Sequence, residues 1–319
     1  MWRILILSAS SLYELPHSIC KCRSSTNLSL RYCDIKFPAM VHLTSLKTLL
    51  LEWVALSPDT FRHLISNCPL LEELSLLGCN QSSDLDIYVE NEHLKSLKIY
   101  ECGREDLNGT EMRVYAPNVI SLELGYFLTR SSYCIKNLSS IKYAGFVDPT
   151  DVSGYDYCEQ DESADSVKIL GDLCHVQELK IYSAFIQLLS MREVQMLAPW
   201  PINAKCLALE AKITKWELPG IAYLLKNPSK LETLNIELLP DRKELSVLDD
   251  DFKCKYDFDK RDYWRSKELE FSSLLQNLKT VKIYELLSNY HPYSDVDNDL
   301  KKLENLIELV RFMLRNSKA

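Results

Sequence analysis

A short apolar pattern, L-x-x-L-x-L, recurs from one end of the chain to the other, and nothing else in the sequence limits the fold as strongly. The clearest copies begin at Leu46 (LKTLLLEWV), Leu71 (LEELSLLGC), Leu94 (LKSLKIYEC) and Val119 (VISLELGYF). Later copies begin at Val176 (VQELKIYSA), Leu231 (LETLNIELL) and Leu278 (LKTVKIYEL), and weaker ones lie at Leu5/Leu7, Leu28/Leu30, Ile141/Tyr143 and Leu207/Leu209. The first apolar residue of each L-x-L falls at 5, 28, 49, 74, 97, 122, 141, 179, 207, 234 and 281. Most steps are therefore 19 to 28 residues, and the two long ones, of 38 and 47, contain insertions.

That period is the period of leucine-rich repeats. Each L-x-L reads as a short strand whose apolar residues face inward and alternate with outward ones. One such strand cannot bury its apolar side alone; stacked neighbours form a parallel sheet, and the return segments cover its inner side. The expected fold is an α/β leucine-rich-repeat solenoid, a horseshoe with a parallel sheet like that of ribonuclease inhibitor, over residues 1–240. A smaller α+β segment follows over 241–319. The returns read as partly helical. Ser57-Pro58-Asp59 is a helix start with Ser57 as cap and Pro58 at the first helical position, and Phe61, Leu64 and Ile65 share one face of that helix. Met191 to Leu197 and Ile221 to Lys226 read as similar short helices. Cys33, Cys79 and Cys102 stand just after strands, where a buried side chain can satisfy backbone groups of the turn.

Two insertions break the period. Asp148 to Ser166 is acidic, without Lys or Arg, and reads as a solvated loop. Asp241 to Glu270 is charged and aromatic, with Tyr256, Phe258, Tyr263 and Trp264. After it come a strand, Leu278 to Leu286, a polar loop, Ser288 to Asp299, and a helix. On that helix Leu303, Leu306, Ile307, Val310, Met313 and Leu314 are expected on one face.

Composition narrows the function. A net charge of −8 gives no support for binding nucleic acid or anionic lipid. With 8 glycines and neither G-x-G-x-x-G nor G-x-x-x-x-G-K-[ST], the commonest phosphate-cradling loops are missing. No apolar run reaches the ~20 residues of a membrane span, and the apolar run Ile4 to Leu7 is short for a signal peptide. The 11 cysteines, an odd number scattered along a long chain, read as reduced thiols of a cytoplasmic or nuclear protein. His17, Cys20, Cys22 and Cys33 form the one cluster resembling a metal site, but its C-x-C is tighter than the C-x₂₋₄-C of structural zinc sites. The histidines stand in no catalytic spacing. The expectation is a binding protein, not an enzyme, with no cofactor and no metal.

The tripeptide Lys-Ile-Tyr recurs at Lys98-Ile99-Tyr100, Lys180-Ile181-Tyr182 and Lys282-Ile283-Tyr284. In each, Ile points inward while Lys and Tyr flank it outward, on the concave face of a solenoid. Aromatic residues with flanking charge suit an interface, although β-favouring residues also pack across strands in this way. Glu73, Glu123, Glu178 and Glu237 share that face. The expected binding residues are Lys98, Tyr100, Glu123, Lys180, Tyr182, Lys282 and Tyr284, with the acidic loop Asp148 to Ser166 as the other candidate surface.

Several stretches, taken in order, resemble the plant F-box proteins that carry leucine-rich repeats and a C-terminal FBD segment. Leu12-Tyr-Glu-Leu-Pro-His-Ser-Ile-Cys20 followed by Asn27-Leu-Ser-Leu-Arg-Tyr-Cys33 is similar to their first full repeat. Cys68-Pro-Leu-Leu-Glu-Glu-Leu-Ser-Leu76 is typical of them. Tyr263-Trp264, Leu275-Gln-Asn-Leu-Lys-Thr-Val-Lys-Ile283 and Leu309-Val-Arg-Phe-Met-Leu-Arg-Asn-Ser-Lys318 resemble the FBD segment. The resemblance implies a substrate-recognition module of a cullin-RING ubiquitin ligase, or a free-standing repeat scaffold or competitor. A Skp-type adaptor is implied as partner only if an F-box lies upstream, since these residues begin inside the first repeat. Without a polar cap, the first strand, Ile4 to Leu7, is expected to expose an apolar edge and promote association.

Overall fold

Alternation along each L-x-L decides which side chains meet. In the computed structural model the chain divides into two compact units, Met1–Lys142 and Tyr143–Ala319. The structure describes residues 3–14, 22–34, 42–55, 57–79, 86–88, 91–100, 111–125, 132–136, 138–147, 169–226, 230–239, 250–259, 263–271, 277–285 and 296–316, with residues 19 and 248.

In the first unit the strands are β1 (Ile4–Glu14), β2 (Asn27–Asp34), β3 (Thr48–Glu52), β4 (Glu73–Leu77), β5 (Asp86–Tyr88), β6 (Ser96–Tyr100), β7 (Glu111–Tyr115), β8 (Ser121–Gly125) and β9 (Ser132–Lys136), and the helix is α1 (Pro58–Ser66). The repeat strands pair in the order β1-β2-β3-β4-β6-β8, and all pairs are parallel. Their register places Leu28 beside Leu49, Leu49 beside Leu74, Leu74 beside Leu97 and Leu97 beside Leu122. From Leu28/Leu30 to Leu122/Leu124, each L-x-L residue is at most 2% exposed. The leading residues Leu46, Leu71, Leu94 and Val119 are buried as well. Each such side chain contributes about 1.5–3 kcal/mol on leaving water. β1 differs: its inward pair, Leu5 and Leu7 beside Leu28 and Leu30, is only half-buried, and on its outward side Ile4 and Ile6 are 61% and 65% exposed.

The turn after each strand repeats too. Tyr32 (φ 53°), Trp53 (φ 53°) and Gly78 (φ 58°) occupy the same place in three successive repeats, all left-handed. The twist lets the Trp53 amide donate to Leu77 O at 2.7 Å and the Gly78 amide to Tyr100 O at 2.8 Å. Trp53 lies over Gly78, where a Cβ would stand 2.6 Å from the indole Cδ2, so that repeat admits only glycine. Tyr32 stacks parallel to Trp53 at 6.3 Å. One residue on, Cys33 and Cys79 are buried, and the Cys79 thiol donates to Leu51 O at 3.4 Å, the turn-satisfying role expected of it. Cys102 lies outside the described residues.

Helix α1 is as expected: Ser57 caps it, accepting from the Thr60 amide at 3.1 Å, and Phe61, Leu64 and Ile65 are buried. In three other returns of this unit β5, β7 and β9 form a second parallel sheet, with Ile87, Val114 and Ile135 in register.

The second unit contains β10 (Tyr143–Val147), α2 (Ile169–Asp172), β11 (Glu178–Tyr182), α3 (Ser183–Val194), β12 (Cys206–Ala211), α4 (Leu218–Leu225), β13 (Thr233–Leu238), α5 (Asp250–Lys255), α6 (Tyr263–Phe271), β14 (Thr280–Glu285) and α7 (Val296–Asn316). Its strands run in chain order, β10 to β14, all parallel. The register corrects one repeat. Ala144 and Phe146 pair with Leu179 and Ile181, so the inward pair is Ala144/Phe146, not Ile141/Tyr143. Ile141, 4% exposed, is the leading residue of the motif. An alanine in the first L-x-L place hid the true phase.

Helix α3 starts at Ser183, directly after β11, rather than at Met191. Every residue from Ser183 to Ser190 is buried, so the segment has no amphipathic period to reveal it. α3 and α4 meet closely. A Cβ at Gly220 would stand 1.9 Å from Ile186 O. The Ser190 hydroxyl accepts from the Gly220 amide at 2.7 Å and donates to Trp216 O at 2.6 Å. Before α4, buried Glu217 closes a capping box, accepting from the Thr214 amide at 2.7 Å and the Lys212 amide at 3.2 Å. Burial pushes its carboxyl above the usual range, against hydrogen bonds from Ser183, Thr214 and Lys212.

The aromatic stretch after residue 240 packs onto the repeats of its own unit. Trp216 meets Phe258 at 5.5 Å, Phe258 meets Tyr263 at 5.1 Å, Tyr263 meets Trp264 at 5.3 Å, and Trp264 meets Phe312 of α7 at 4.6 Å. Glu193, buried on α3, holds Lys226 at 2.6 Å and Lys267 of α6 at 2.7 Å. α7 is fastened by Asn305, whose amide donates to Ile213 O at 2.7 Å, and by Lys302, which donates to Leu239 O at 2.6 Å. Only one edge of the apolar face read from the sequence is covered. Leu309, Phe312 and Met313 are buried, whereas Leu303, Ile307 and Leu314 are exposed.

Two substitutions test this packing. Gly220→Ala, with no space for the added methyl, is expected to lower unfolding free energy in urea by about 3 kcal/mol or more. Met196, 92% exposed with φ 57°, ends α3 in a left-handed turn, with amide bonds from Met196 to Glu193 O and from Leu197 to Arg192 O. Met196→Gly is expected to stabilise by about 1 kcal/mol in the same assay, because glycine adopts that conformation without a Cβ penalty.

Candidate binding face

Residues between and beside the inward pairs line the other side of each parallel sheet, the face expected to bind. In the first unit the middle column runs Ser29, Leu50, Ser75, Lys98 and Glu123. Lys98 and Glu123 are directly opposed and form an ion pair at 3.1 Å, with side chains 39% and 16% exposed. The Tyr100 hydroxyl donates to the same Glu123 carboxylate. Opposite Tyr100 stands Gly125, which has no side chain to compete for that space. The three sequence-expected residues of this unit therefore form one closed triad. Arg31 and Glu52 pair at 2.8 Å on β2 and β3.

In the second unit the middle column runs Gly145, Lys180, Ala208, Asn235 and Lys282. Lys180 is paired, but with Glu210, a diagonal neighbour that the sequence reading did not single out. Glu210 follows Leu209 in the weak copy LALEA, so its outward place was legible once that strand was phased. Lys282 is exposed and has no ion-pair partner among the described residues. Tyr284 is 48% exposed, beside Glu237 in the register. Tyr182 does not belong with them: it is 4% exposed, because the chain passes from β11 straight into α3 with Tyr182 at the helix cap position. It is a packing residue and offers a partner no contact area.

Small residues Gly145, Ala208 and Cys206 sit among these side chains. The Asn235 amide donates to the Cys206 sulfur at 3.6 Å. Burial raises the Cys206 thiol above its usual range, as does Glu178, while Lys282 opposes them. A thiol so placed is protonated and a poor nucleophile at neutral pH. Among the described residues no group of three or more His, Cys, Asp or Glu is placed to hold a metal ion. The acidic stretch Asp148 to Ser166, and His17 and Cys20, lie outside the described residues. Among the described residues no helix is long and apolar enough to cross a membrane.

Such a face offers shape, paired charge and half-exposed rings, which is what a protein partner engages. Comparison with known proteins agrees. Residues 5–149 match the family described as "FBD-associated F-box protein At5g56370, LRR repeats". The chain is 30% identical over 255 residues to the F-box/LRR-repeat protein At5g02910 of Arabidopsis thaliana, a match covering 78% of this chain and 53% of that protein. It is 26% identical over 258 residues to the putative F-box/LRR-repeat protein At5g02930 of Arabidopsis thaliana, covering 78% and 54%. It is 25% identical over 311 residues to the putative F-box/FBD/LRR-repeat protein At1g66290 of Arabidopsis thaliana, covering 94% and 59%. No solved structure matches the chain. The chain thus spans about half the length of the curated relatives it matches. With its repeat sheet, its outward face and these relatives, the chain belongs to the plant F-box/leucine-rich-repeat/FBD family, as a protein-interaction module.

Proposed function

We propose that these repeats hold a protein substrate for a cullin-RING ubiquitin ligase, with the outward sheet face as the contact. The observation that carries the reading is the sidedness of the strands: apolar pairs fill the inward places, while the outward face carries the ion pairs Lys98–Glu123 and Lys180–Glu210 and the half-exposed Tyr100 and Tyr284, among smaller and apolar residues such as Ser29, Leu50 and Ala208. In the first unit the Lys98–Tyr100–Glu123 triad presents a ring already fixed by its hydroxyl, so little side-chain freedom is lost on contact. In the second unit Lys282 and Tyr284 supply a cation and a ring exposed to solvent. Contact with a Skp-type adaptor is the task of an F-box, where one precedes these repeats.

The test uses the chain as bait in plant extract, with captured proteins identified by mass spectrometry and their affinities then measured. Tyr284→Ala is expected to weaken a captured partner by about 2 kcal/mol with the melting temperature unchanged. Tyr182→Ala is expected to lower the melting temperature and leave affinity intact. If Tyr284→Ala and Lys282→Ala both leave affinity unchanged, the outward face of the second unit is not the contact.

The second arm separates ligase recruitment from a scaffold role. Purified Skp-type adaptor is offered to this chain and to the same chain carrying an F-box fused upstream. Capture by the fused chain, with simultaneous retention of the partner, supports the ligase reading. A partner excluded whenever the adaptor binds points to a free-standing scaffold.

A further inference from the structure

The tripeptide Lys-Ile-Tyr stands on β6, β11 and β14, and on the first two the next strand of the sheet supplies a carboxylate to the lysine. Lys98 of β6 pairs at 3.1 Å with Glu123 of β8, which also accepts from the Tyr100 hydroxyl. Lys180 of β11 pairs with Glu210 of β12. Glu123 stands directly opposite Lys98, and Glu210 stands one outward place beyond the residue opposite Lys180. The third copy is open. Among the described residues no strand pairs with the far edge of β14. Lys282 is exposed and Tyr284 is 48% exposed. Among the described residues Lys282 has no ion pair, and Glu237, diagonal to it on β13, does not bridge it. The inward pair of β14 is open too: Val281 and Ile283 are 40% and 36% exposed, against 0% for Leu234 and Ile236 on β13. Strand amides alternate in direction. The Thr280 amide donates to Glu232 O at 3.1 Å, on the β13 side, so Val281 and Ile283 direct theirs to the open edge.

We infer that this edge takes an extended strand of the partner protein, parallel to β14, that carries an acidic residue between two apolar ones. The two filled copies of the site choose the acid: a carboxylate beside Lys282 repeats the arrangement at Lys98 and Lys180. The exposed inward pair chooses its neighbours, since apolar residues on either side of the acid point inward and cover Val281 and Ile283. The direction follows from the sheet, because the strands from β10 to β14 all pair in parallel. Main-chain bonds to an open edge supply affinity, and the side-chain places supply specificity. Lys282 favours the acid and repels a basic residue at the same place. A lysine on an edge strand can instead serve to keep other strands away, and the two roles require opposite effects of removing it. The inference rests on the outward face of this unit being a protein contact, and it names what the partner presents there.

The test titrates the whole chain into short labelled peptides centred on Val-Glu-Ile, Val-Gln-Ile or Val-Lys-Ile, and records fluorescence anisotropy and amide hydrogen exchange. The glutamate peptide is expected to bind at least about tenfold more tightly than the lysine peptide and to slow exchange at Val281 and Ile283. Lys282→Glu is expected to reverse the preference with the melting temperature unchanged. Absence of binding, or equal binding of the three peptides, overturns the inference. So does tighter binding of every peptide by Lys282→Ala, which would assign Lys282 to guarding the edge. If the Val281 and Ile283 amides of the free chain exchange as slowly as those of Leu234 and Ile236, the chain covers this edge itself, and the inference falls. The outward-face reading is judged apart, by Tyr284→Ala and Lys282→Ala against the partner captured from extract. Lost affinity there, with no peptide bound, overturns the strand and leaves that reading in place.

Discussion

Everything in this chain depends on burying two apolar side chains per repeat against the equivalent pair of the next. A strand of five residues has little stability alone. Its inward pair reaches exposures near zero only because the neighbours on either side carry the same pair in the same register, as from Leu49/Leu51 through Leu74/Leu76 to Leu97/Ile99. Parallel pairing then demands a long return after every strand, and the period of the sequence follows from the length of that return. Where the inward pair has no paired neighbour on one side among the described residues, the burial falls. Val281 and Ile283 occupy the same places in β14 as Leu234 and Ile236 in β13, yet are 40% and 36% exposed.

The returns vary because the ladder constrains only their ends. α1, α3 and α4 cover the sheet with helices, whereas β5, β7 and β9 do so with a second sheet. Close helix contact in the second unit depends on polar groups within the apolar packing. Ser190 ties α3 to α4, Glu217 fastens the turn before α4, and Glu193 gathers two lysines from other elements. Ser190 and Glu217 satisfy backbone amides that would otherwise be orphaned, and the lysines neutralise the buried Glu193 carboxylate. The aromatic chain from Trp216 to Phe312 then joins α5, α6 and α7 to the same packing.

The strands were legible because their signal is local and repeated: leucine at fixed places, alternation of period two, one phase throughout. The phase was lost where alanine replaced leucine, at Ala144. Helix α1 was legible from Ser57-Pro58 and its apolar spacing. The start of α3 was not, since a helix buried on all sides loses the contrast between faces. On α7 the sequence showed apolar residues at helical spacing but could not say which of them are covered, because that depends on distant aromatics. The outward face was partly legible. Lys98, Tyr100, Glu123, Lys180, Lys282 and Tyr284 stand on it, but their pairing, including that of Lys180 with Glu210, rests on cross-strand geometry. Tyr182 was misplaced because the chain turns into a helix one residue after it.

The central claim is that strand alternation divides the repeats into inward residues that hold the fold and outward residues whose loss the fold tolerates. Denaturant unfolding of Ile99→Ala against Lys98→Ala, adjacent residues of β6 on opposite sides of the sheet, tests it most directly. The account predicts a loss of about 2–5 kcal/mol for Ile99→Ala, which is 0% exposed. For Lys98→Ala it predicts less than about 1 kcal/mol, the worth of an exposed ion pair. Equal losses at the two positions, or a larger loss at Lys98, would contradict it.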